Sequence, residues 1–157
     1  MNKIRNLGSN KKFIHDYVGM NSRLDTIQAS ILSNKLKRLN IINKKKRYIA
    51  RFYRDNINNR KIKNLIYSKS CVYHQYVILS KNRKKLIKLL SKNGIPFGFH
   101  YPYPINKLHS LRKIFKRQKY PNAERIGKEG ISLPIDPNLS ISNLKKSTEI
   151  CLKNQLL

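Results

Sequence analysis

The sequence predicts an α/β fold, because stretches of helical period alternate with short β-branched and aromatic runs in the order helix, helix, strand, helix, strand, helix, strand, helix. Composition supports a packed core: hydrophobic residues make up 39% of the 157 residues, and Tyr and Phe recur along most of the chain. That length suits one domain with one substantial core.

Residues 1–20, ending in Gly19-Met20, are short, polar and irregular and read as a connecting segment. From Ser22 the apolar positions Leu24, Ile27, Ile31, Leu36 and Leu39 recur at helical intervals, with Asn21 or Ser22 placed to cap the first turn. A second helical stretch over 43–58 carries Ile49, Phe52, Tyr53 and Ile57 on one face, and the two can fuse into one long bent helix. Residues 58–69, rich in Asn and Lys and without a period, read as a linker at a domain boundary.

Residues 72–79, VYHQYVIL, predict a strand, and 83–93 a helix with Leu86, Leu89 and Leu90 inward. Gly94 follows where a left-handed C′ residue is wanted, with Ile95 supplying the accompanying apolar contact. Residues 95–100 return as a short strand, and Pro96 favours an edge position. After the turn Tyr101-Pro102-Tyr103-Pro104 come a basic, loosely ordered loop, a short helix from about Asn122, a strand at 131–133, and a last helix from about Ser140 with Ile141, Leu144, Ile150 and Leu152 as its apolar set.

Thirty-five Lys and Arg against seven Asp and Glu give a formal charge of +28. Such a balance points to an anionic partner. Yet the cations are spread almost everywhere, Lys44-Lys45-Lys46-Arg47 reads as a solvated helix face, and most aromatics fall at inward positions instead of forming a stacking surface. The abundance of Asn, Ile and Lys together suggests a compositional bias that inflates charge. A basic nucleic-acid-binding protein stays as an alternative on this ground.

No run approaches the roughly 18 apolar residues of a membrane span, and no signal-peptide block follows Met1, so a cytoplasmic protein is expected. Cys71 and Cys151 lack metal or redox spacing and are read as small buried or half-buried residues. His15, His74 and His109 receive no role. With seven carboxylates, no Ser-His-Asp set and no Gly-rich phosphate loop, the chain shows little of a self-contained catalytic site. Two places stand out. His100-Tyr101 ends a strand ahead of two prolines, which projects polar groups at a sheet edge. Gly19-Met20-Asn21-Ser22-Arg23 opens a helix where amides, the Asn21 side chain and the Arg23 guanidinium can hold a phosphate.

These segments form an ordered series: Gly19 to Asp25, Gln28-Ala29, Lys35-Leu36, Arg47 with Ala50 and Tyr53, Tyr73 to Val77, Gly94-Ile95, His100 to Pro104, Pro121-Asn122-Ala123-Glu124 and Ser132-Leu133-Pro134. In order and spacing the series resembles the C-terminal part of the DegT/DnrJ/EryC1/StrS sugar aminotransferases. The resemblance implies the C-terminal small domain plus connecting long helices of a fold-type I aminotransferase that binds pyridoxal 5′-phosphate. Residues 1–20 would be the tail of the large domain, 21–58 the connecting helices and 59–157 the small α/β domain. It also implies a homodimer that moves an amino group from glutamate to a nucleotide-linked keto-deoxysugar, for surface polysaccharide or related deoxyaminosugar synthesis.

By the same resemblance, Asn21 would reach the cofactor phosphate of the other subunit, Arg23 would support that site, and His100 and Tyr101 would line the sugar-nucleotide pocket. The Schiff-base lysine of the family would lie upstream of these residues, so the chain alone is expected to be inactive, and no metal is implied. The family commonly places a histidine two residues after the second proline of the HYP-x-P turn, where this chain has Asn106. A non-catalytic dimerisation subunit, or a remnant, is the further alternative.

Overall fold

The computed structural model describes residues 2–115 and 118–153, which fall into two compact units meeting within one helix, the first ending at Asn40 and the second beginning at Ile41.

In the first unit a single helical turn, α1 (Asn2–Arg5), precedes an antiparallel pair, β1 (Ser9–Lys11) and β2 (Ile14–His15). The segment expected to be irregular is therefore folded. Gly8 sits at φ +73°, and a Cβ there would stand 1.7 Å from the carbonyl oxygen of Tyr17, so the close return of the chain needs a glycine. Met20 donates its amide to the Ile4 carbonyl at 2.9 Å and Ser22 donates to that of Arg5 at 2.8 Å.

Helix α2 (Thr26–Asn56) joins the two predicted helical stretches without a break. Its first hydrogen bond runs from the Ala29 amide to the Asp25 carbonyl, so neither Asn21 nor Ser22 is its cap. The two ends of α2 differ in burial. Ile27, Ile31 and Leu36, expected to face inward, are exposed, whereas Ile49, Ala50 and Tyr53 are buried in the second unit.

The second unit is built on an antiparallel sheet. Strand β3 (Ile62–Asn64) lies in the segment expected to be a linker and pairs with β4 (Tyr76–Ser80), Ile62 opposite Ser80. Helix α3 (Arg83–Lys92) follows and ends as predicted. Gly94, at φ +67°, donates to the Ser91 carbonyl, and Ile95 donates to that of Leu90, so two orphan carbonyls of the last turn are satisfied and buried Ile95 seals the end. Residues 95–100 do not extend into a strand. Gly98 alone bridges the sheet, exchanging both backbone hydrogen bonds with Ser132.

The basic loop contains two 3-10 turns, Ile105–Lys107 and His109–Leu111, and a helical turn α4 (Arg112–Phe115); its Lys116 and Arg117 lie outside the described residues. Helix α5 (Pro121–Glu129) starts with Pro at its first position, where no amide is needed. Strand β5 (Gly130–Leu133) pairs with β4, Ile131 opposite Ile78, and helix α6 (Ile141–Lys153) closes the unit. No helix among the described residues is long and apolar enough to cross a membrane.

Ile78, Leu86, Leu90, Ile131 and Leu144 are fully buried around Tyr53, each side chain contributing about 1.5–3 kcal/mol by leaving water. Tyr53 donates its hydroxyl to the Pro134 carbonyl at 2.9 Å, and burial pushes its phenol well above the usual range. Asn59, also buried, donates to the Cys151 carbonyl at 2.7 Å and accepts from the Lys61 amide at 2.8 Å, so both ends of its amide are used. The cysteines part company: Cys151 is buried and its thiol is pushed up to about 12 by desolvation, while Cys71, expected to be at least half-buried, is exposed. Arg47 donates to the Cys71 carbonyl at 3.1 Å, and the Tyr73 amide lies 3.3 Å from its sulfur. Only a thiolate reacts readily with a disulfide reagent. In a native thiol titration at pH 8, Cys71 will react within seconds to minutes and Cys151 only after denaturant is added; two fast thiols would contradict this core. Replacing Leu86 with Ala should cost about 2–5 kcal/mol in urea unfolding.

Candidate functional site

The edge of the sheet beyond β5 carries the first candidate group. Because Gly98 and Ser132 are locked together by two backbone hydrogen bonds, of 3.1 and 2.8 Å, the chain leaves the sheet at a fixed place two residues later. The imidazole of His100 then folds back, its Nδ1 2.7 Å from the Ser132 hydroxyl oxygen. A Cβ on Gly98 would lie 2.8 Å from the ring carbon Cε1 of His100, so a bare backbone at Gly98 makes room for the ring. Tyr101 packs edge-on to His100 with ring centroids 5.5 Å apart, and both residues are exposed.

Two devices hold the base of this turn. The Arg83 guanidinium stacks over Phe99, 4.2 Å from the ring centroid, and donates through Nη1 to the carbonyls of Gly127 at 2.6 Å and Lys128 at 2.9 Å. Those carbonyls belong to the last turn of α5, where a cation also suits the helix dipole. The prolines in turn sit on α5: a Cβ at Gly127 would come within 2.9 Å of the Pro102 carbonyl oxygen and 3.2 Å of Pro104 Cδ. Beside this contact the turn and α5 enclose a largely apolar hollow of about 430 Å³.

The far side of the turn is tied down by Glu124. Its Oε1 accepts from the Asn106 side-chain amide at 3.1 Å and lies 3.4 Å from the Lys107 ammonium. The hydrogen bond from Asn106 is the main reason its carboxyl is held below the usual range, with help from the Tyr120 amide and Lys107. Thus the position where a histidine was expected holds an amide committed to a carboxylate.

The second candidate group lies in the first unit. Asn21 is bridged through its backbone to Asn6, and Arg23 donates from Nη2 to the Asn6 side-chain oxygen at 3.2 Å. The amides of Met20 and Ser22 are spent on Ile4 and Arg5, so the segment is not the helix N-terminus that the sequence suggested. What remains is chemically useful. The Asn21 side chain makes no hydrogen bond among the described residues, and Arg23 keeps donors beyond the one given to Asn6, so both fit a phosphate group.

Asn21 and Arg23 thus share one unit, and His100 and Tyr101 share the other. Ser132, Gly98, Arg83, Gly127 and Glu124 were not singled out as functional from the sequence. Glu124 alone carried a usable signal, as one of seven carboxylates placed in the first turn of a helix behind a proline. No group of three or more metal-ligating side chains occurs among the described residues.

Comparison with known proteins gives one consistent result. The model of the DegT/DnrJ/EryC1/StrS aminotransferase family matches residues 1–150. A dTDP-3-amino-3,6-dideoxy-alpha-D-galactopyranose transaminase from Aneurinibacillus thermoaerophilus is 35% identical over 95% of this chain and 41% of its own length. A UDP-2-acetamido-2-deoxy-3-oxo-D-glucuronate aminotransferase from Pseudomonas aeruginosa is 30% identical over 88% of this chain and 38% of its own. Among solved structures, S. venezuelae DesV superposes with a TM-score of 0.90 at 26% identity, over 98% of this chain and 42% of that one. The chain therefore spans about two fifths of the length of the relatives it matches, 41% of the first of them, and its fold is that of part of a sugar aminotransferase.

The lowered acidity range of Glu124 sets a pH dependence. Its tie to the turn is complete above the usual glutamate range and is lost as pH falls through the depressed folded value. Hydrogen-exchange protection of the Lys107 amide, which donates to the Pro104 carbonyl, should fall in that acid window and should be low at every pH in Glu124→Gln. Unchanged protection in the variant would show that the carboxylate does not anchor the turn.

Proposed function

Because this chain belongs to the DegT/DnrJ/EryC1/StrS aminotransferase family, whose members are PLP-dependent, we propose that it is the C-terminal portion of a sugar-nucleotide aminotransferase that moves an amino group from glutamate to a nucleotide-linked keto-deoxysugar. The family match over residues 1–150 carries this reading. In it, residues 1–20 end the large domain, 21–58 connect, and 59–157 form the small domain of a cytoplasmic homodimeric enzyme.

Pyridoxal phosphate, when bound, supplies an electron sink for moving the amino group. The residues of this chain do the holding. Asn21 and Arg23 donate hydrogen bonds to the cofactor phosphate of the other subunit, which the uncommitted Asn21 amide and the remaining Arg23 donors support. His100 and Tyr101 line the sugar-nucleotide pocket. Ser132 positions the His100 ring through Nδ1, which leaves Nε2 as the edge available to a substrate hydroxyl. Neither residue pair supplies a Schiff-base lysine, and none of the lysines of this chain is assigned that part.

Two measurements test the reading. With limiting pyridoxal phosphate and borohydride reduction, labelling of the chain should spread over many exposed lysines; one lysine labelled stoichiometrically would overturn the assignment of that lysine to another segment. When the chain is mixed with a lysine-bearing large domain of the family, cofactor absorbance and glutamate-dependent amino transfer should appear. Asn21→Ala and Arg23→Ala should each weaken cofactor binding about tenfold, the loss of one hydrogen bond to a charged group. Parent-like affinity in both variants would remove them from the phosphate site.

A further inference from the structure

Asn6, in the first unit, has no role in what is described above, yet it stands between the two candidate phosphate donors. The Leu7 amide donates to the Met20 carbonyl at 3.1 Å and the Ser22 amide to the Arg5 carbonyl at 2.8 Å. These two bonds bracket the antiparallel bridge between Asn6 and Asn21, which makes those residues a non-hydrogen-bonded pair. Side chains of such a pair stand on the same face of the ribbon, their Cβ atoms about 4.5–5.5 Å apart. Arg23 lies two residues beyond Asn21, within diagonal reach, and its Nη2 donates to Asn6 Oδ1 at 3.2 Å. Asn6 therefore holds both donors, Asn21 by backbone pairing and Arg23 by its side chain.

The chemistry of the contact matters as much as its place. Arg54 and Arg125 face carboxylates, Asp55 at 2.6 Å and Glu129 at 3.0 Å, and their charge is met there. Arg23 instead donates to a neutral amide oxygen, which fixes one edge of the guanidinium and leaves its positive charge uncompensated by that partner. A guanidinium oriented in this way keeps its remaining donors and its full charge for an anion. We propose that Asn6 is a positioning residue of the cofactor-phosphate site: it aligns Arg23 through Oδ1 and Asn21 through the backbone bridge, without a charge of its own. The inference rests on the assignment of Asn21 and Arg23 to that phosphate and adds the residue that sets them side by side. A carboxylate at position 6 would hold Arg23 as well, but would place a negative charge next to the anion.

Order and affinity are read separately. In the chain alone, the NMR signal of Arg23 Nε–Hε, identified by its loss in Arg23→Ala, reports the order of the guanidinium through its heteronuclear NOE. It should be rigid in the parent and in Asn6→Asp and mobile in Asn6→Ala, with hydrogen-exchange protection of the Met20 and Ser22 amides retained in each. In the mixture with a lysine-bearing large domain, Asn6→Ala should weaken cofactor binding about fivefold and Asn6→Asp about tenfold, the latter with Arg23 still ordered. Asn6→Ala combined with Arg23→Ala should lose less than the product of the two single losses. A mobile Arg23 in the parent, an ordered one in Asn6→Ala, or parent-like affinity in Asn6→Asp would overturn the proposal. Parent-like affinity in both Asn21→Ala and Arg23→Ala would sink the phosphate reading and this inference with it, whereas a loss in those two beside unchanged binding in Asn6→Ala would sink this inference alone.

Discussion

Strand β5 is the constraint on which the second unit depends. All four of its residues are buried. Along one edge it pairs with β4, and along the other Ser132 exchanges two backbone hydrogen bonds with Gly98. Immediately beyond it, the Pro134 carbonyl accepts the Tyr53 hydroxyl and so fixes the buried end of α2. The side chain of Ser132 then orients His100. One four-residue strand thus joins sheet, helix and candidate site, and a disturbance of its register would be felt at all three.

The features legible in the sequence were those whose cause is local. Helix α3 and its glycine-terminated end could be read because the leucine period and Gly94 lie within a dozen residues of one another. Strand β3 could not, since its Ile-Lys-Asn carries no β signature and owes its form to pairing with residues some fifteen positions later. The same limit explains the misread helix start. Asn21 and Ser22 have good capping chemistry, but the Arg5 carbonyl captures the Ser22 amide and Asn6 bridges Asn21, contacts invisible to a local pattern. At the site, His100 was found through its motif, whereas its partner Ser132 stands 32 residues away.

Charge proved a poor guide to purpose. Three ion pairs are formed among the described residues, all by partly exposed side chains, few beside a composition of 35 cations. Exposed pairs of that kind contribute about 0–1 kcal/mol. The cations that shape the structure do so by hydrogen-bond geometry: Arg47 on the Cys71 carbonyl, Arg23 on Asn6, and Arg83 on the last turn of α5.

Arg83 shows what this means for the choice between arginine and lysine. A flat guanidinium can lie on Phe99 while one nitrogen serves two carbonyls; an ammonium, compact and strongly hydrated, cannot reproduce both contacts at once. Exchange of arginine for lysine therefore changes little where a side chain only faces water, whereas at position 83 the turn bearing His100 would lose its footing. In a protein whose cations look interchangeable by composition, the flat shape of one guanidinium decides where that turn stands.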